Sequence, residues 1–227
     1  MLTASDSDGR KICIDDYVKK SCTVYCPLGH EMVAKQGEVM KWHFAHKTDS
    51  NCIYSKGKTK WHLWWQSRIK TEYLEARMLV NDTLHIADIY NKHSEVIEVQ
   101  HSIMDKQTMH EREEFYGDMI WIFDVSGHSI DIVDKHKDLV KMVFRSGNMY
   151  FSQACKKSYL DMGYKGLFEV LKNKGKTYVC RKIPLNVFDT RYFDGIMVDG
   201  ADIRKDMPYF DMSKGKATDA EVKLYKM

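Results

Sequence analysis

Two carboxylates occupy matching places in the segment 86–102, which reads IADIYNKHSEVIEVQHS. β-rich runs on both sides of NKHS predict two strands joined by a polar turn. Asp88 and Glu98 lie near the middle of these strands, so we expect them to pair across the hairpin. Because carboxylate oxygens are the ligands that Mg²⁺ and Mn²⁺ prefer, the pair indicates a divalent-metal site.

The residue two positions after Glu98 is Gln100. Side chains alternate along a strand, so Gln100 shares the face of Glu98, whereas Ile97 and Val99 are expected to pack into the core. Nucleases of the PD-(D/E)XK type usually carry a lysine at this position. Glutamine has no charge, but its amide can hold a water or a phosphate oxygen by hydrogen bonds.

Taken alone, the segment favours an ordinary half-exposed hairpin with solvated acids. The choice between this hairpin and a metal site therefore depends on the rest of the sequence.

A second set of reactive side chains lies upstream, where cysteines and histidines are dense. Its candidate metal ligands are Cys22, Cys26, His30, His43, His46 and Cys52. The first residues, MLTASDSDGRK, carry acids and no apolar stretch, so we expect no secretory signal and a cytoplasmic location. Cysteines stay reduced there, which favours metal binding over disulfides.

Zinc is usually held by four nitrogen and sulfur ligands that come as two close pairs. Cys26 and His30 form one such pair on the CPLGH turn, where Gly29 permits the backbone to bend. His46 and Cys52 form the second pair. Four protein ligands leave no position for water, so the expected role of the ion is structural.

Two further residues compete for this site. His43 is the chief alternative to His46, because HFAH places both near one ion, and Cys22 is a weaker candidate because it lies on a predicted strand. The other interpretation is a group of buried cysteines and surface histidines without an ion. A short segment with few apolar residues needs such a staple to fold, which favours zinc.

The remaining sequence predicts the elements that hold these residues. Tryptophans at helical spacing predict a helix over 60–78, and Ser102 with Asp105 predicts the start of a second helix, which follows over 106–119. Other expected elements are a hairpin over 8–27, a buried strand over 120–125, a hairpin around Gly147, a strand over 176–183 and a polar tail over 200–227. This order is that of a mixed α/β (α+β) fold.

The composition is that of a soluble globular protein and excludes few classes of function. The chain has 227 residues, of which 44% are hydrophobic and 30% charged, with a net charge of +3. This charge permits nucleic-acid binding without arguing for it. No apolar run approaches the ~20 residues that span a bilayer, so we expect no membrane partner.

Read in order, five segments resemble the CoiA-like family of competence proteins: YCPLGHEMVAKQGEVMKWHFAH, WHLWWQSRI, IADI, IEVQHS and REEFYGDMIWIF. The resemblance covers residues 8–124. It implies an N-terminal zinc-binding module and a PD-(D/E)XK restriction-endonuclease-like core, in which Asp88 and Glu98 bind Mg²⁺ or Mn²⁺. Gln100 stands where this family often has glutamine.

The resemblance also implies roles for residues on the flanking helices. His62 matches a histidine that faces the site and would be catalytic with Asp88, Glu98 and Gln100. Arg112 and Tyr116 match an R-x-x-x-Y pattern that would contact nucleic acid or brace the site. The sequence departs from the family at two places, since Gln66 stands where a lysine is frequent and His30 replaces an expected cysteine.

Two charged groups have open roles. Glu72 and Glu75 are either surface acids or include a third acid of the site. The lysines at 56, 58 and 60 are either a phosphate-contacting run or a solvated face.

We therefore expect a zinc-binding module at 1–55, a nuclease core at 56–135, and a mixed β/α, β-rich C-terminal extension of that core at 136–227. The expected function is metal-dependent hydrolysis of phosphodiester bonds, with DNA as the expected nucleic acid, and a homodimer is compatible with the sequence. The alternatives are a non-catalytic nucleic-acid-binding or adaptor protein on the same fold, and a protein-interaction module built on the zinc segment.

Overall fold

A computed structural model describes residues 1–38, 42–48, 52, 54, 58–145 and 147–199. The predicted tail at 200–227 and Lys56 lie outside the described residues. The helices are α1 (Lys60–Ser67), α2 (Lys106–Tyr116) and α3 (Leu185–Tyr192). The strands are β1 (Thr3–Ser5), β2 (Lys11–Cys13), β3 (Val24–Tyr25), β4 (Glu31–Lys35), β5 (His43–His46), β6 (Leu74–Val80), β7 (Thr83–Tyr90), β8 (Val96–Gln100), β9 (Met119–Asp124), β10 (Ile130–His136), β11 (Leu139–Phe144), β12 (Lys157–Asp161), β13 (Leu167–Lys174) and β14 (Thr177–Ile183).

The first five strands form an antiparallel sheet in the order β2-β1-β3-β4-β5. Asp6 closes the turn between β1 and β2, because its carboxylate accepts hydrogen bonds from the backbone N–H groups of Asp8 and Arg10. The predicted hairpin over 8–27 is wrong, since β1 lies between β2 and β3 and pairs with both. The turn around Gly9 joins β2 to the preceding strand β1, and not to β3.

The other nine strands form one sheet in the order β10-β11-β14-β13-β12-β9-β8-β7-β6. Its centre is parallel, because β9 pairs in parallel with both β8 and β12. Helix α2 makes the crossover between β8 and β9 that parallel strands require. Two sheets with few helices confirm a mixed α+β fold.

The residues of β9 alternate between two hydrophobic cores. Ile120 and Ile122 pack with the tryptophans of α1 and the aromatic residues of α3, whereas Trp121 and Phe123 pack with α2 and the C-terminal strands. All four side chains are buried. The predicted strand over 120–125 is confirmed, and both of its faces are covered.

Helix α1 is shorter than the predicted helix over 60–78. It begins after Thr59, whose hydroxyl accepts a hydrogen bond from the His62 N–H, and it ends at Ser67. The segment LEARMLV is a good helix former, yet it becomes β6 because all its residues except Glu75 pair with β7. No helix among the described residues is long and apolar enough to cross a membrane.

Helix α2 and the C-terminal half bear on three further predictions. The helix expected over 106–119 is confirmed as α2, but its capping residue is Asp105, which accepts from the Thr108 N–H at 2.9 Å, and not the predicted Ser102. The hairpin expected around Gly147 is wrong, because β11 pairs with β10 and β14 and a short 3₁₀ turn follows at Tyr150–Gln153. The predicted strand over 176–183 is confirmed as β14.

Glu75 joins the N-terminal sheet to the nine-stranded sheet. It is 3% exposed, and its carboxylate accepts hydrogen bonds from Leu2 N (3.2 Å), Thr3 N (2.8 Å) and Thr3 Oγ1 (2.6 Å). Lys58 Nζ lies 2.9 Å from the same carboxylate. Glu75 also has a φ of +48°, which is unusual for a residue with a side chain. The surface role considered for Glu75 is therefore excluded, and the residue fastens the two sheets together.

We expect Glu75→Gln to destabilise the protein at pH 7 by about 3 kcal/mol, because it leaves Lys58 short of one buried partner. Burial alone would raise the pKa of Glu75, but Lys58 and the other donors lower it to about 2. The folded pKa thus lies below the ordinary value, so this stabilisation is present above about pH 4.5 and is lost as the pH falls toward 2. Urea denaturation at several pH values measures the difference. The exposed Glu72→Gln is the control, and an equal effect of both variants at pH 7 would contradict the assignment.

Candidate functional site

The predicted carboxylate hairpin is formed by β7 and β8, which separate at Asp88 and Glu98. The strands pair at Ile89 and Ile97. One step further, Asp88 N donates to Glu98 Oε1 at 3.3 Å, and Val99 N donates to Asp88 Oδ2 at 3.1 Å. Each carboxylate therefore accepts a backbone hydrogen bond that a carbonyl of the facing strand would accept in a regular antiparallel pair. The two side chains are held side by side where the strands part.

Three side chains from α1 and the segment before it surround Asp88. His62 Nε2 lies 2.8 Å and Lys58 Nζ 3.2 Å from Asp88 Oδ1. Gln66 Nε2 donates to the Asp88 carbonyl at 3.0 Å, and its Oε1 accepts from Lys58 Nζ at 2.8 Å. Burial would raise the pKa of Asp88, but His62 and Lys58 hold it well below its usual range. Asp88 is thus a carboxylate in contact with positive charge.

Glu98 is held from the opposite side by α2. Arg112 Nη1 lies 2.7 Å from Glu98 Oε2, and the carboxylate is almost fully buried. Burial and the charge of Asp88 raise the pKa of Glu98 to about 7, although Arg112 opposes this. Tyr116, one turn further along α2, is buried close by, and burial together with the Glu98 charge raises its pKa. The two carboxylates therefore face strong mutual repulsion that a further cation would relieve.

The structure brings most of the sequence-predicted residues together but places Gln100 apart. The side chains of His62, Arg112 and Tyr116 lie beside the carboxylate pair. Gln100 follows Glu98 on the same strand, yet its Nε2 donates to Ser102 O at 2.6 Å and to Ser102 Oγ at 3.2 Å.

The sequence alone did not decide whether Lys58 contacts phosphate or is simply solvated. Its ammonium lies 3.2 Å from Asp88 Oδ1, and it comes from the segment before α1. The only signal in the sequence was its position just ahead of the helix that carries His62. Glu75, considered as a third acid, reaches the pair through Lys58 and has no contact of its own with either carboxylate among those described.

The cysteine–histidine cluster forms as expected. Cys26, His30, His46 and Cys52 each offer a ligand atom within 4.8 Å of the others. Cys26 Sγ lies 3.4 Å from His30 Nδ1 and 3.9 Å from Cys52 Sγ. Zinc–ligand bonds of 2.0–2.3 Å in a tetrahedron require separations of roughly 3.3–3.8 Å. The four residues could therefore bind a zinc ion with only small adjustments.

Local backbone structure explains how the cluster is assembled. Gly29, with a φ of +79°, allows the turn in which Gly29 N donates to Cys26 O and Cys26 N donates to His30 O, both at 2.9 Å. His46 ends β5, and its buried Nε2 has no hydrogen-bond partner among the described residues, which leaves it available as a metal ligand. His43 is outside the four-residue group, and Cys22 is exposed.

Comparison with known proteins bears on this N-terminal part of the chain. No curated protein and no solved structure matches the chain. Residues 13–55 match the family model for the competence protein CoiA, N-terminal domain, and this range contains all four residues of the cluster. The match ends before α1, so the carboxylate pair rests on its own geometry. The resemblance to the CoiA-like family is confirmed for residues 13–55, which are similar to the N-terminal domain of the competence protein CoiA.

Proposed function

We propose that this protein is a metal-dependent nuclease whose nine-stranded sheet contains a PD-(D/E)XK-like core. The observation that carries the proposal is the side-by-side placement of Asp88 and Glu98 where β7 and β8 part. The cationic side chains of Lys58 and Arg112 contact this pair from two different elements. Negative charge for a metal and positive charge for a phosphate in one place is the combination that phosphodiester hydrolysis requires.

The carboxylate pair fits a hard divalent cation such as Mg²⁺ or Mn²⁺. Both residues supply oxygen donors, which these ions prefer over nitrogen and sulfur. Backbone N–H groups hold Asp88 Oδ2 and Glu98 Oε1, whereas side chains contact Asp88 Oδ1 and Glu98 Oε2. A bound cation would therefore share these oxygens with Lys58, His62 and Arg112 or displace those side chains. A bound ion would lower the pKa of a water and offset the charge that develops on the phosphate.

The surrounding residues have separate roles in this proposal. Lys58 and Arg112 supply fixed positive charge near the reacting phosphate. His62 orients Asp88 through its 2.8 Å contact and is close enough to exchange a proton with a substrate or water. Gln100 can contribute only by turning away from Ser102, whose backbone and hydroxyl now bind its amide. The expected substrate is DNA.

Asp88→Asn and Glu98→Gln are expected to lower the cleavage rate by about 100-fold or more, because each removes a charged metal ligand. Nicking of supercoiled, single-stranded and branched DNA with Mn²⁺ measures the rate. Asp118→Asn, which changes an exposed carboxylate just before β9, should retain wild-type activity. Wild-type protein that binds these substrates but cleaves none of them would contradict the proposal and favour the adaptor function.

Lys58→Met is expected to slow cleavage about 100-fold, because the site loses the ammonium that contacts Asp88. Lys58→Arg keeps the positive charge and should recover part of the rate. Such a recovery would show that the methionine variant is slow because it lacks the charge and not because it fails to fold. Lys60→Met changes an exposed lysine at the start of α1 and serves as the control. Wild-type rates in Lys58→Met would remove Lys58 from the mechanism without affecting the metal-ligand assignment.

We further propose that the N-terminal cluster holds one structural zinc ion. Cys26→Ser is expected to lose this zinc and to lower the unfolding temperature, because a structural four-ligand site contributes directly to folding. Cys22→Ser, which changes an exposed cysteine outside the cluster, should keep both zinc and stability. Metal content by elemental analysis and thermal unfolding provide the two measurements. Equal zinc content in Cys26→Ser and Cys22→Ser would refute the assignment.

A further inference from the structure

A second group of side chains that could hold a metal ion lies between α2 and the segment before β12. His110 and Glu113 are one turn apart on the helix, and Cys155 comes from the segment just before β12. Their ligand atoms all lie within 4.8 Å of one another. His110 Nε2 lies 3.4 Å from Cys155 Sγ. This spacing equals that of Cys26 and His30 in the N-terminal cluster.

Glu113 is a buried carboxylate that is fixed in place but has no cationic partner. It is 4% exposed, and its Oε1 accepts hydrogen bonds from Trp121 Nε1 (2.9 Å), Cys155 N (2.8 Å) and Lys156 N (3.0 Å). No lysine or arginine of the described residues forms an ion pair with it, unlike Glu75 and Glu98. A buried negative charge without a cation is costly, and a metal ion at this place would offset it.

The three side chains suit zinc better than a hard cation. A thiolate, an imidazole and a carboxylate are all known zinc ligands, and the thiolate disfavours Mg²⁺. The contact of 3.4 Å between His110 and Cys155 matches the spacing of two ligands in a zinc tetrahedron, roughly 3.3–3.8 Å. Three protein ligands leave one position for water, so this ion would exchange more easily than one in a four-ligand cluster.

We propose that His110, Glu113 and Cys155 form a second zinc site. Binding releases the Cys155 thiol proton to solvent and requires a free lone pair on His110 Nε2. The remaining imidazole proton then sits on Nδ1, and His110 gives up its 3.1 Å contact with the Gln153 carbonyl. The ion links α2 to the chain segment ahead of β12. Since α2 also carries Arg112, this site would fix the helix that holds Glu98.

Zinc stoichiometry of the full chain, measured after equilibrium dialysis against buffered free Zn²⁺, tests the proposal. Wild-type protein is expected to bind two equivalents, and Cys155→Ser and His110→Ala one each. Cys22→Ser and His136→Ala change an exposed cysteine and an exposed histidine outside both groups and should bind two. Stoichiometry that is unchanged by Cys155→Ser and His110→Ala would overturn the proposal.

The same measurement in a Cys26→Ser background separates the two zinc sites. One equivalent should remain there, and adding Cys155→Ser should remove it. Added Zn²⁺ should also raise the unfolding temperature of the Cys26→Ser protein but not that of the double variant. No rise in the single variant would count against the second site. Because none of these readouts involves cleavage, the result is independent of the proposed nuclease activity.

Discussion

One ammonium group, that of Lys58, lies between two carboxylates inside the protein and contacts both. It is 2.9 Å from Glu75 and 3.2 Å from Asp88. Each buried carboxylate costs several kcal/mol in desolvation unless it is paired and hydrogen-bonded. The negative charges of Glu75 and Asp88 hold the pKa of Lys58 above its ordinary value although burial opposes this. The amino-terminal strand, the start of α1 and the hairpin of β7 and β8 are all held by this one cation.

Local patterns predicted the parts of the site that are close in sequence. The strands around Asp88 and Glu98 follow from their β-rich sequence and a polar turn, and both are found within a residue or two of their expected bounds. The four zinc-cluster residues likewise follow from two short-range pairs and one turn glycine. In these places sequence separation is small, so spacing alone fixes which side chains can meet.

The remaining parts depend on contacts that no local pattern contains. Lys58 lies 30 residues before Asp88, and its neighbours in sequence indicated either a phosphate-contacting run or a solvated face. The helix predicted through residue 78 stops at Ser67, because the following segment gains a full strand pairing with β7. Strand β1 was missed for the same reason, since its three residues form a strand by pairing with β2 on one side and β3 on the other.

The connection between the two sheets has a mechanistic consequence. Thr3 in β1 donates two hydrogen bonds to Glu75, Glu75 contacts Lys58, and Lys58 contacts Asp88. A change in the position of β1 therefore alters the surroundings of a candidate metal ligand through only two intermediate side chains. The unusual backbone of Glu75, with a φ of +48°, carries a cost that persists only where surrounding contacts impose it. An N-terminal domain attached in this way is part of the electrostatic environment of the carboxylate pair, because the donors that fix Glu75 also fix the ammonium beside Asp88.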